Sequence, residues 1–182
     1  MKNHNFVFFS RFTALQEPSR RRRAALEESL RFHKFCFELD AERQWVQEHA
    51  ILASSETLGA NLHQAQSLYK KHRKLEEEIK GHQPMIDRAL ASGRNLIEQK
   101  HPETEKIENL CQDLTREWEE LDAMARERAH KLELSLKAQQ FYFEASEVES
   151  WLAEKNDVLS STDVGRDRDA ATKLLTRHKA NI

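Results

Sequence analysis

Apolar residues return at alternating intervals of three and four along most of the chain. The cleanest run lies between Leu62 and Ile97, where Ala65, Leu68, His72, Leu75, Ile79, His82, Ile86, Ala89, Gly93 and Leu96 keep this alternation for over four heptads. Such a period puts one narrow stripe on a helix and, when sustained, makes that stripe a coiled-coil seam. Pro84 lies inside the run and removes one backbone hydrogen bond. Because the register does not break there, one kinked helix is expected rather than two helices divided at Gly81. Upstream, Arg21 to Ser54 contains no Gly or Pro, and Phe32, Phe35, Leu39, Val46 and Leu52 form its stripe, with Trp45 alongside. The segment SSETLGAN, with Gly59, then reads as a short interhelical loop. His101-Pro102 interrupts the chain again, and Pro102 suits the first turn of a third helix. From Glu103 the stripe resumes as Ile107, Leu110, Leu114, Leu121 and Met124, beside Trp118. No Gly or Pro occurs from Glu103 to Ser161, and the pattern passes through Arg126-Glu127-Arg128 into Leu132, Leu136 and Phe141. The third helix is therefore expected to run unbroken into a following one, as a rod of about 85 Å at 1.5 Å per residue.

The chain also repeats itself. Trp45 and Trp151 lie 106 residues apart, and the same offset pairs Arg20 with Arg126, Arg22 with Arg128, Leu26 with Leu132, Phe35 with Phe141, Gly59 with Gly165, Leu68 with Leu174 and His72 with His178. Matches of rare residue types spread over some fifty positions mark a modular array. One complete unit is expected at 26–131, and a second, incomplete one at 132–182 that holds a first helix and the start of a second. Phe12 and Leu15 precede Trp118 and Leu121 by the same 106, so 11–25 reads as the tail of a preceding unit. Residues 1–10, MKNHNFVFFS, have no such counterpart and are expected to be a non-repeat segment.

Composition narrows the class. Of 182 residues only 4 are Gly and 3 Pro, too few for the tight turns of a β-sandwich or for a phosphate-cradling loop. A third of the chain is charged, yet 31 acidic against 29 basic residues leave a net charge of −2, which suits a helical surface of mixed sign and argues against nucleic acid as a partner. Cys36 and Cys111 are far apart in sequence and form no C-x-x-C motif, which fits a reducing intracellular compartment. No apolar run approaches the ~20 residues of a membrane span, and Phe6–Phe9 is too short for a signal peptide.

Candidate chemistry is sparse. His72, His82 and His178 show no i, i+4 pairing and no accompanying ligand cluster, so packed histidines are preferred to a metal site. The run Arg20–Arg23 suits a solvated junction between units better than a lipid or nuclear signal. Cys36 follows His33 by three residues, a weak redox arrangement. Ser160, Ser161 and Thr162 are explained by loop capping as well as by modification. No nucleophile triad, paired-carboxylate pocket, P-loop or zinc spacing appears, and a bundle with a filled seam offers no substrate cavity, so no enzyme, no cofactor and no small-molecule substrate are expected. Trp45 and Trp118 are expected in a structural core with Phe35, Phe141, Leu68, His72, Leu75, Ile79, Ile86, Leu114 and Leu121. Trp151 belongs to the same set, although its unit lacks a third helix and so leaves it partly exposed.

Taken together, the period near 106, a Trp in the first helix (Trp45, Trp151) and another in the third (Trp118), the stretch LYKKHRKLEEEI from Leu68 to Ile79 and AQQFYFEASEVESWLAEK from Ala138 to Lys155 resemble the spectrin repeat. With HQPMID at His82 to Asp87, the wording is most similar to β-spectrin chains. The resemblance covers about residues 11–182. It implies an all-α fold, an antiparallel three-helix left-handed coiled-coil bundle whose last helix continues into a truncated second repeat. It also implies an elastic rod in a cytoplasmic, submembrane actin–spectrin scaffold, paired laterally with an α-spectrin-like chain. Actin and ankyrin are implied only through other parts of a parent chain. The alternative is a regulatory three-helix binding module outside that meshwork. The apolar residues Phe141, Val148, Leu152 and Leu174 of the incomplete unit are expected to lack a covering helix.

Overall fold

The computed structural model describes the backbone of residues 2–180 and side chains from Arg11 onward. Four helices follow one another: α1 Lys2–Ala53, α2 Leu62–Glu98, α3 Thr104–Leu159 and α4 Arg168–Ala180. α2 keeps Pro84 in its interior and is not divided at Gly81, as its unbroken seam predicts. α3 is continuous through the position where one unit was expected to give way to the next. α1 starts far upstream of Arg21 and holds Pro18 inside it. Pro18 is exposed, so water can meet the backbone carbonyl that loses its donor there. The expected non-repeat character of 1–10 falls on side chains outside the described residues.

The chain divides into two compact units, Met1–Glu56 with Lys71–Ala129, and Thr57–Lys70 with His130–Ile182. In the first, Phe35, Leu39, Val46 and Ala53 of α1 share one core with Leu75, Ile79, Ile86, Ala89 and Leu96 of α2 and Ile107, Leu114, Trp118, Leu121 and Ala125 of α3. Bonds between helices give the topology. Arg43 pairs with Glu117, and Arg128 reaches Ser55, so α1 and α3 run the same way. His82 meets Glu42, while His72 meets Ala125, so α2 runs against both. The α1 seam differs from its predicted stripe in one step. Leu52 is 56% exposed and Ala53 only 3%, because seven residues beyond Val46 is position 53. Restored to that register, the seam reads Phe32, Phe35, Leu39, Glu42, Val46, His49, Ala53, with two polar members.

Gly93 lets the three helices of this unit close together. A Cβ there would lie 2.4 Å from Cys111 Sγ and 3.0 Å from Phe35 Cε2, so only a residue without a side chain fits beneath the Phe35 ring.

The second unit comprises the first interhelical loop, the first turns of α2, the last part of α3 and α4. Ala65 and Leu132 are fully buried, and Ser135 Oγ donates to the Leu58 carbonyl at 3.0 Å, tying α3 to the loop. Beyond Leu132 no described residue is buried. The core placement expected of Phe141 and Trp151 is corrected here, while the exposure expected of their uncovered unit is what they show: they are 65% and 55% exposed. The reason is the missing third helix, since two helices cannot enclose a seam built for three. In the first unit, Phe12, Leu15 and Leu26 of α1 are likewise more than half exposed, although their mates 106 residues on, Trp118, Leu121 and Leu132, are buried.

The repeat nevertheless recurs in the backbone. Gly59 and Gly165 have φ of 90° and 83°, and a Cβ on either would sit 2.6 Å from the amide nitrogen of Ala65 or Ala171 respectively. Asn61 caps α2 by accepting from Gln64 N–H at 3.0 Å, and Asp167 caps α4 by accepting from Ala170 N–H at 2.8 Å. Thus the incomplete unit reproduces its loop without reproducing its core. Hydrogen exchange at low protein concentration should therefore show 140–180 far less protected than 71–125, because local opening there exposes little new apolar surface. Equal protection would contradict this packing.

Candidate functional site

The polar members of the α1 seam meet aromatic residues of α2 and α3 in one layer across the first unit. The Trp45 ring stacks on His49 at 3.6 Å and on His82 at 3.7 Å, the second pair only 3° from parallel. Trp118 lies 6.2 Å from Trp45 and donates its indole N–H to Gln83 Oε1 at 2.8 Å. His82 Nε2 donates to Glu42 Oε2 at 2.6 Å, and His49 Nδ1 donates to the Trp45 carbonyl at 2.8 Å. On the neighbouring edge, Arg43 Nε is 3.2 Å from both oxygens of the Glu117 carboxylate. That bidentate contact raises the Arg43 pKa above its ordinary value. The layer has an obvious physical role. An all-apolar heptad seam tolerates sliding by one heptad, whereas a layer with named partners on three helices satisfies its hydrogen bonds in one register only.

Two further bonds fix the ends of the helices. His72, 4% exposed, donates from Nε2 to the Ala125 carbonyl at 2.8 Å. Arg128, buried just beyond the end of α1, donates to the Ser55 carbonyl. Burial lowers its pKa, and its Nε has no hydrogen-bond partner. Arg128 thus places a cation where the α1 dipole leaves negative potential. At the opposite corner Lys100 adopts φ 57°, His101 N–H bonds to the Leu96 carbonyl at 3.1 Å, and Lys100 N–H to the Ile97 carbonyl at 2.9 Å. This is a Schellman ending with a lysine where glycine is usual. His101 is 5% exposed, accepts from Glu103 N–H at Nδ1 and donates from Nε2 to the Glu28 carbonyl, both at 3.1 Å. Pro102 precedes α3, which begins at Thr104, so its expected place in the first helical turn shifts outward by two residues.

The remaining expected site residues fall as follows. Phe35, Leu75, Ile79, Ile86, Leu114 and Leu121 are buried, Leu68 and Trp45 are partly buried, and His178 and Arg20–Arg23 are exposed. Sequence reading missed Glu42, Arg43, His49, Gln83 and Glu117. Glu42 and His49 were legible as polar residues at seam positions, once the stripe was carried through 46 to 53. Among the described residues no group of three or more His, Cys, Asp or Glu is arranged to hold a metal. Among the described residues no helix is long and apolar enough to cross a membrane.

Neither cysteine is activated. Burial, and then the Asp40 charge, push the Cys36 thiol up, and burial pushes up Cys111 against a smaller opposing effect of Arg94. A raised thiol pKa leaves less thiolate at a given pH. Alkylation by iodoacetamide near neutrality should therefore run slower than for the unfolded chain, and should accelerate as pH climbs past the ordinary thiol range. The folded state also holds these protons more tightly than the unfolded state. The associated stability is present below the unfolded thiol pKa and is lost as pH rises through the folded one. Equal alkylation rates for folded and unfolded protein would refute both statements.

Comparisons with known proteins agree with this geometry. The sequence model for the spectrin repeat matches residues 30–134 and 136–181. The chain is 38% identical over 155 residues to human "Spectrin beta chain, non-erythrocytic 5", covering 85% of this chain and 4% of that protein. It is 36% identical over 170 residues to the Drosophila melanogaster "Spectrin beta chain", covering 93% of this chain and 7% of that one. It is 32% identical over 171 residues to mouse "Spectrin alpha chain, erythrocytic 1", again 7% of that protein and 94% of this chain. The chain thus spans a small fraction of the length of the curated relatives it matches. With one three-helix unit complete, the loop of a second repeated at the same offset, and the sequence match running across both, the chain belongs to the spectrin-repeat family.

Proposed function

We propose that this chain is a structural, elastic rod segment of a β-spectrin-like cytoskeletal scaffold. The observation that carries the reading is the construction of the first unit. Its interior is filled by a seam and a register-fixing polar layer, and its surface is lined with paired charges such as Arg116–Asp113 and Arg73–Glu76. A cleft of about 840 Å³ between α2 and α3 is lined by Arg73, Glu76, Lys80, Pro84, Trp118 and Arg126, with no nucleophile or ligand set in it. Such a molecule transmits force and presents charge.

The mechanism is mechanical. Helices bonded in one register hold a fixed length under small loads. Under larger loads a unit opens as a whole, because each helix depends on the other two for its apolar cover. Mixed charge along the exposed faces selects a lateral partner, here an α-spectrin-like chain, by complementarity rather than by a deep pocket. Actin and ankyrin would be reached only through other parts of a parent chain, at the cytoplasmic face of the membrane cortex.

Single-molecule stretching tests the reading. A unit of about 106 residues released at ~3.5 Å per residue should lengthen the tether by about 300 Å after its folded length is subtracted. That step should appear once per complete repeat and recover on relaxation. Co-sedimentation with an α-spectrin chain should show weak, salt-sensitive binding. Gradual extension without steps, or tight binding of an unrelated protein in one groove, would replace the rod by a binding module.

A further inference from the structure

Two residues that weaken a helix, Gly81 and Pro84, stand close together in the middle of α2. At Gly93 a glycine is required by space, since a Cβ there would collide with Cys111 and Phe35. Gly81 meets no such requirement. It is exposed, its φ is not in the left-handed region, and a Cβ on it would meet nothing within 4 Å. An alanine would therefore fit, yet the glycine favours local opening of the helix by about two- to fivefold. Pro84 is exposed as well, and its missing N–H leaves the Lys80 carbonyl without its helical donor. The weakened stretch is Lys80 to Pro84. No Gly or Pro occurs in α1 from Arg21 to Ser54 or anywhere in α3, so at this level of the first unit α2 alone is weakened.

The side chains inside that stretch are nevertheless held from both sides. His82 bonds to Glu42 at 2.6 Å and stacks on Trp45, both of α1. Gln83 accepts the indole N–H of Trp118, of α3, at 2.8 Å. On either side of the stretch the helix has its own grip on the core, Leu75 and Ile79 before it and Ile86, Ala89 and Leu96 after it. A break here leaves each half docked, and the bonds of His82 and Gln83 keep the halves from sliding in register.

We propose that Lys80–Pro84 is a pinned hinge. Its backbone hydrogen bonds open while His82 and Gln83 stay bound to the neighbouring helices, so the two halves of α2 bend about the polar layer without leaving the core. This mode is softer than the opening of the whole unit. It deepens the rod reading, in which the hinge lets a unit flex under loads that leave it folded.

Native-state hydrogen exchange of the intact chain, read amide by amide by NMR, is the test, and it assumes nothing about the rod. Amides of 81–87 should exchange at least about tenfold faster than those of 74–79 and 89–96, with no matching dip at 42–46 of α1. The indole N–H of Trp118 should stay as slow as the core, because the pin holds while the backbone opens. Gly81→Ala combined with Pro84→Ala should raise protection at 81–87 by about tenfold or more and leave 89–96 little changed. Uniform protection along α2, a dip that survives both alanines, or a Trp118 indole that exchanges as fast as 81–87 would each overturn the hinge. A stretching curve without steps would remove the rod and leave this exchange pattern standing, so the two readings fail separately.

Discussion

Phe35→Ala should lose about 3–5 kcal/mol of unfolding free energy, and Phe141→Ala should lose almost none at low concentration. The two phenylalanines are one position of the repeat, 106 residues apart, and the comparison removes sequence context from the question. Phe35 is 2% exposed, lies in the core of all three helices and presses its ring edge against Gly93. Truncating it leaves a void that Gly93, having no side chain, cannot help to fill. Phe141 is 65% exposed and its ring touches only Tyr142 among aromatic neighbours, edge-on at 5.9 Å. Denaturant melts of the two variants, followed by circular dichroism, give both numbers. A large loss at Phe141 would mean that the second unit is as closed as the first.

Trp118→Ala should be comparably damaging, again by about 3–5 kcal/mol, with Trp118→Phe intermediate. Alanine removes a 9% exposed indole from the core and leaves Trp45 without its aromatic neighbour at 6.2 Å. Phenylalanine keeps much of that apolar volume but strands Gln83 Oε1, which otherwise accepts the indole N–H, and an orphaned part-buried acceptor costs roughly 1–3 kcal/mol. Tryptophan emission separates the contributions further. In the wild-type chain Trp151 is the exposed fluorophore and Trp118 the buried one, so loss of Trp118 should shift the emission of the folded protein to the red. If the two substitutions proved equally costly, the hydrogen bond would carry the whole effect and the ring none.

The fold was legible to the extent that it depends on periodicity. The α2 seam could be written down position by position, and Pro84 did not end the helix because the apolar register on both sides agreed. The 106-residue offset pointed to the recurring loop, where Gly59 and Gly165 share a positive φ. Where the reading slipped, the signal was polar. The stripe drawn through the conspicuous Leu52 misses Ala53, to which the heptad counted from Val46 points. For Glu42, His49 and Glu117 it is the partners that stay hidden, since the sequence shows a polar residue at or beside the seam but not which residue of another helix it meets. Phe141 and Trp151 show a different limit. A position's chemistry is repeated by the sequence, but its burial depends on a neighbour that this unit does not contain.

At the corner between α2 and α3 one imidazole is wired on both sides. The His101 ring accepts a backbone N–H at Nδ1 and donates at Nε2, where the Glu28 carbonyl and, at 3.4 Å, the Glu28 carboxylate both receive it. That wiring admits a single tautomer, with the proton on Nε2. A phenylalanine in its place would still stack on Phe32 but would silence both contacts at once, while an added proton on Nδ1 would set two donors face to face. The turn therefore reads the ring like a keyed plug, accepting one orientation and one wiring of an otherwise ambidextrous side chain.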